Sequence, residues 1–249
     1  MLVIAICNAN LHGDTLWSVA AARALAQRAG TQADFFITWR AEQLGNLLRA
    51  QSFVRHVVIV HDRSIGFALA GEAKGYDEVY DLHMRGHEGN LLDWFCKVAD
   101  VGPQCHRFDI PPDVPISTLP DGPFVAMAGK AWDQGMEGVT APMREFTKLC
   151  PVPVVEVGFP TGAMVAPGTS IDRRSWGFLE MAGIISKCRV FLGTLSAPLV
   201  LADAFPDVYR VAVHDNARWD MRWPTRSDKN HYVGNPSGHD LIDLMKNWW

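Results

Sequence analysis

The chain reads as an α/β protein built from two parallel-sheet halves. Three observations predict this. Short apolar runs alternate with helical patterns along nearly the whole length. A stretch rich in proline interrupts that alternation near the middle. The first apolar run passes through Gly13-Asp14 straight into a long alanine-rich helix.

In the first half, Leu2–Ile6 is a strand and a helix follows from Thr15 to Ala29, stopping at Gly30. Ala33–Thr38 is a second strand. Residues 40–50 are helical, with Leu44, Leu47 and Leu48 on one face. His56–Val60 and Glu78–Leu82 are strands three and four, and residues 90–99 are helical. Gly102–Pro123 then carries six prolines and no helical period, which marks a linker or boundary. The expected halves are 1–115 and 116–249, facing a cleft that is the default ligand site.

Beyond the prolines, Phe124–Ala128 is a strand and residues 142–149 a short helix. Val154–Val157 is a strand, and Trp176 to Ile185 has apolar spacing near the helical period. Val190–Leu192 is a strand, 197–204 a helix, Val208–Val213 a strand and 239–248 a closing helix. There is no tandem repeat and no low-complexity segment.

Composition bounds the function. Hydrophobic residues make up 48% and charged residues 20% of the 249, as in ordinary folded proteins. A net charge of −4 argues against general nucleic-acid binding. The five cysteines are scattered with no C-x-x-C pair, so neither a disulfide framework nor a zinc site is expected. A reducing, cytoplasmic location fits. The opening apolar run is short and has no basic flank, so it is not a signal peptide, and no run is long enough to span a membrane.

Three strand ends could carry chemistry. At Gly13-Asp14 a carboxylate stands where open α/β folds bind ligands, and it is a candidate general base. Its plainer role is to cap the helix. Gly129-Lys130 follows the first strand of the second half, where a lysine can meet a phosphate; its plainer role is a solvated loop residue. Gly193-Thr194-Leu195-Ser196-Ala197-Pro198 joins a strand to a helix. Ser196 suits the N-cap, Pro198 the first turn, and the backbone amides could hold an anion. The spacing is neither that of a P-loop nor of a dinucleotide fingerprint.

Histidines flank these turns. His83 and His87 are four apart around Gly86, which does not make the metal-binding H-E-x-x-H arrangement. His12, His83 and His214 are instead expected to line the cleft with Gly13. Trp219 and Trp223 could stack on a sugar or base, although core packing is the commoner use of tryptophan.

Together these pieces resemble glycosyltransferase family 9, the ADP-heptose:lipopolysaccharide heptosyltransferase group, with its GT-B fold. His12-Gly13-Asp14-Thr15-Leu16 followed by Ala20–Leu25 is similar to the family's "GD-hydrophobic…PALRAL" start. Gly193–Ala202 is similar to its "GNDSGPMHLAAA" block. The resemblance implies an inverting, metal-independent transfer with no cofactor. A nucleotide-diphospho-sugar would bind the second half and a glycan or lipopolysaccharide-type acceptor the first, with peripheral membrane contact compatible.

Asp14 matches the family's base, and Lys130 falls near its phosphate-contacting lysine. The Thr194–Ala197 turn would offer amides to the donor. Two positions depart from the pattern: Leu195 replaces the family's Asp and Val200 its frequent His. The chain is also short between Gly158 and Thr169, where a further helix is expected. Two other readings stay open: a non-catalytic sugar-nucleotide-binding protein on the same scaffold, and a different enzyme such as an epimerase or hydrolase.

Overall fold

A computed structural model describes residues 2–61, 72–83, 89–116, 118–129, 137–160, 164–175, 177–214 and 227–249. The described residues form two compact units, 2–112 and those described from 113 to 249.

The first unit holds a four-stranded sheet, β1 (Ile4–Asn8), β2 (Ala33–Thr38), β3 (Val54–Val60) and β4 (Glu78–Asp81). The strands lie in the order β3-β2-β1-β4, all parallel. Helix α1 (His12–Ala29) links β1 to β2. It is buried on almost every side from Thr15 to Ala26, which is why it is rich in alanine: small side chains let neighbours approach closely. It ends at Gly30, whose left-handed φ of 63° suits a residue without Cβ.

A 3₁₀ turn (Trp39–Leu44) leads into α2 (Gly45–Arg49), so the predicted helix over 40–50 is split in two. Helix α3 (Leu91–Val98) packs against α1 and is capped by the Asn90 side chain.

Between α3 and β5 the described residues contain no helix or strand, as the prolines require. The early part of this stretch is nevertheless tied down. His106 Nε2–H donates to Leu16 O (3.1 Å), and its ring lies 4.6 Å from the Trp17 ring.

The second unit holds a six-stranded parallel sheet in the order β10-β9-β8-β5-β6-β7. Its strands are β5 (Val125–Ala128), β6 (Val154–Glu156), β7 (Ile171–Asp172), β8 (Val190–Thr194), β9 (Tyr209–His214) and β10 (Asn230–Gly234). Helices α4 (Glu137–Leu149), α5 (Phe178–Ile185), α6 (Ala197–Asp203) and α7 (Gly238–Met245) intervene or follow. Helix α4 starts five residues before the predicted 142, with Pro142 inside it. Strands β7 and β10 have no counterpart in the sequence reading.

A core of β5, β8 and β9 side chains meets Met143 and Phe146 of α4 and Leu241 and Met245 of α7. Among the described residues no helix joins β6 to β7, in keeping with the shortening read between Gly158 and Thr169.

Candidate functional site

The two strand orders each contain one reversal. In the first unit the chain steps from β1 to β2 to β3, then returns to the other side of β1 for β4. In the second it steps from β5 to β6 to β7, then returns beside β5 for β8. Ligands of open α/β sheets bind outside the carboxyl ends of strands at such reversals. The two reversals are therefore the carboxyl ends of β1/β4 and of β5/β8.

At the first, Asp14 is not the helix cap. Leu11 takes the N-cap position with no side-chain bond, and Asp14 stands third in α1. A carboxylate in a first turn faces the positive end of the helix dipole, worth about 0.3–1 kcal/mol. Asp14 and Gly13 are part-buried.

Beneath them runs a polar network that the sequence reading missed. Asn8, fully buried at the end of β1, donates to Ser18 Oγ (2.6 Å). Its Oδ1 accepts from Asn10 N (3.0 Å) and Thr15 Oγ1 (3.1 Å). Asn10 Nδ2 crosses the reversal to Leu82 O (3.0 Å), tying β1 to the end of β4. Four polar residues thus fix the β1–α1 turn. Their sequence signal is faint: an Asn-Ala-Asn ending an apolar run.

His12, next to Gly13, is 8% exposed and its Nε2 meets Gln43 Oε1 at 2.8 Å. Burial outweighs that bond and holds its pKa below the ordinary histidine value, so the ring is neutral at neutral pH. His83 follows β4 at the same reversal. Its backbone N–H donates to Asp81 Oδ1 (3.0 Å), and its Nδ1 is buried without a hydrogen-bond partner. His87, Trp219, Trp223 and Trp176 lie outside the described residues. No cluster of metal-ligating side chains occurs among the described residues.

At the second reversal Ala128 of β5 pairs with Gly193 of β8. A Cβ on Gly193 would sit 3.1 Å from Ala128 O and 2.6 Å from the Phe191 ring, so glycine permits this approach. Buried Thr194 closes β8, and Leu195, Ser196 and Ala197 are half-buried beyond it. Ser196 takes the N-cap position of α6 and Pro198 the first turn, as expected. Its hydroxyl turns back to Thr194 O (3.2 Å) instead of capping the helix. His214 ends β9, one residue past the Val213 that pairs with Thr194, and its Nδ1 is buried without a hydrogen-bond partner. Lys130 lies outside the described residues.

Gly129, just after β5, is overlaid by Val165: a Cβ there would meet Val165 Cγ2 at 1.9 Å. The backbone of Val165 is gripped by two charged side chains. Glu156, 2% exposed, accepts from Val165 N (2.7 Å), Ala166 N (3.4 Å) and Ser170 Oγ (3.2 Å). Arg144 Nε donates to Val165 O (2.9 Å). This clamp was also invisible to the sequence reading, because a carboxylate inside Val-Val-Glu-Val gives no hint of the amides that return to it.

The sequence matches no protein-family model and no curated protein. The structure is similar to E. coli heptosyltransferase WaaC with ADP-2-deoxy-2-fluoro heptose, at a TM-score of 0.67 and 13% identity over 99% of both chains. It is similar to the family 9 glycosyl transferase from Veillonella parvula DSM 2008, at 0.67 and 13%, covering all of this chain and 90% of that one. It is also similar to E. coli ADP-heptose lps heptosyltransferase II, at 0.65 and 14%, covering 98% and 95%. The chain therefore has the GT-B-type α/β fold of the family 9 heptosyltransferases.

Proposed function

We propose that the protein is an inverting glycosyltransferase that moves a sugar from a nucleotide-diphospho-sugar to a glycan or lipopolysaccharide-type acceptor. The observation that carries this reading is the coincidence of Gly13-Asp14 with the reversal of the first sheet and of the Gly193–Ala197 turn with that of the second. These are the two places where such folds hold ligands. Similar structures bind ADP-2-deoxy-2-fluoro heptose and ADP, which makes ADP-heptose the first donor to try.

In this mechanism Asp14 takes the proton of the acceptor hydroxyl as that oxygen attacks the anomeric carbon. The bond from the anomeric carbon to the diphosphate breaks, with inversion, and the nucleoside diphosphate leaves with the electron pair. Lys130 and the amides of the Ser196–Ala197 turn stabilise its charge, so the step needs no metal. Gly13, His12 and His83 line the acceptor side, and His214 flanks the donor turn beside Thr194 and Leu195.

The test is calorimetry against ADP, UDP, GDP, CDP and their sugar conjugates, followed by turnover with the donor that binds, with and without EDTA. The expected result is one preferred nucleoside diphosphate, EDTA-insensitive transfer and a product of inverted anomeric configuration by NMR. No binding across the panel by folded protein would overturn the reading. So would donor consumption that yields only an epimer or free sugar and persists in Asp14→Asn.

A further inference from the structure

The first unit has a second pocket at the opposite edge of its sheet. It is an open surface groove of about 540 Å³ between the carboxyl-terminal half of α1 and residues 107–109. Gly30, Thr31 and Gln32 lead into the amino end of β2, and Ser52 and Phe53 into that of β3. Strand β2 has six residues, so about 20 Å separates this edge from the carboxyl edge that carries Asp14. The volume falls within the roughly 300–1,000 Å³ of small-molecule sites. The fold's ordinary ligand position is at the other end.

Its charges are unbalanced. Arg23, 8% exposed, lies over the Phe53 ring at 5.5 Å. It donates to Asp109 Oδ1 (3.3 Å), Gln51 Oε1 (3.0 Å) and Arg107 O (3.2 Å), while its Nε–H has no hydrogen-bond partner. Asp109 Oδ2 is taken by Ser52 N (3.0 Å) and Ser52 Oγ (2.8 Å).

Burial pushes Asp109 up, but the Ser52 bonds and both arginines outweigh it and hold the carboxyl below its ordinary range. That one carboxylate is ionised and its oxygens are spent. The exposed Arg107 guanidinium lines the same groove and makes no hydrogen bond or ion pair with the described residues. Two guanidiniums thus face one carboxylate, and the remaining lining is neutral: Gln27, Gln32, Thr31, Ser52, Ala26 and Phe53. A fork-shaped cation beside carboxamides suits a phosphoryl group, which it can meet with two parallel bonds.

We propose that this pocket binds a phosphorylated small molecule, at a site distinct from the one assigned to sugar transfer. Inorganic phosphate, glucose 6-phosphate and AMP are the probes, followed by calorimetry and by amide NMR on the full chain. Binding should shift the amides of Gly30, Thr31 and Ser52 and the side-chain signals of Gln27 and Gln32. Arg107→Glu should weaken it at least about tenfold, an effect that includes the lost bidentate pair. Lys246→Glu changes the net charge equally on an exposed residue of the other unit and should leave the affinity unchanged.

An ester that binds more tightly than inorganic phosphate marks a phosphorylated metabolite as the ligand. Equal binding marks the free ion. The proposal is overturned if none of the three binds, if the shifts fall outside this pocket, or if Arg107→Glu and Lys246→Glu behave alike. Calorimetry of nucleoside diphosphates with Arg107→Glu should match that of the unaltered protein, so failure here leaves the transferase reading intact.

Discussion

Asp14 and Asn8 sit at one turn and do different work. Asp14→Asn keeps the size and polarity of a part-buried side chain, so the fold should survive. Under the proposed mechanism turnover should fall by about 10²–10⁴, the usual worth of a general base, with donor affinity unchanged in calorimetry. Unaltered turnover would remove Asp14 from the reaction. Asn8→Ala should act through stability. It removes one buried hydrogen bond from each of Ser18 Oγ, Thr15 Oγ1 and Asn10 N, although Ser18 Oγ keeps Thr15 O (2.7 Å) and Thr15 Oγ1 keeps Asn10 O (3.4 Å), and should cost about 1–3 kcal/mol in urea unfolding. Of these residues only Asp14 stood out in the sequence, because glycine-carboxylate at a strand end is a recognisable pattern; its role rests on the turnover test above. Asn8, Thr15 and Ser18 did not stand out, because their meaning lies in partners that only the turned chain brings together.

The elements followed the sequence wherever an apolar run filled a strand buried on both faces, as in Ile4–Asn8 and Val190–Thr194. They escaped it at the sheet edges. Strand β7 has two residues, and β10 reads Asn-His-Tyr-Val-Gly, part-exposed and without an apolar run. The β6–β7 connection makes a sharper case. Here a buried carboxylate and an arginine hold a loop against Gly129, and steric fit should dominate the response to change. Gly129→Ala places a methyl group 1.9 Å from Val165 Cγ2 and should cost about 1–3 kcal/mol through overpacking. Adding Val165→Ala should recover much of that loss in a thermal-melt comparison of the single and double variants. If the losses simply add, the two side chains do not meet.

For the whole molecule, pH is the informative variable. Burial lowers His12, and burial with Arg210 lowers His231, both below 6.5. Unfolded histidines therefore bind protons before the folded ones do. Stability is full above about pH 6.5 and falls as pH drops through that value toward the folded pKa. Urea midpoints at pH 7.5 and 5.5 should differ in that sense, and His12→Asn should shrink the difference; an unchanged difference would remove His12 as a source. The thiols offer a second check. Burial, with Asp81 for Cys7, pushes Cys7 and Cys188 up to about 12, while Cys105 is exposed. Iodoacetamide on native protein should label Cys105 and spare Cys7 and Cys188.

The proline-rich stretch bears on how this chain can be dissected. Its composition invites a cut at Gly102, where regular structure stops. Yet His106 lies on Trp17, and Asp109 with Gln51 anchors Arg23 in the middle of α1. A fragment ending at Gly102 would leave a guanidinium and an indole of the central helix without their cover. One ending at Pro112 would keep both. The residues that look like a tether are the buckle of the first unit, and a soluble, cooperatively melting fragment is expected only when they are retained.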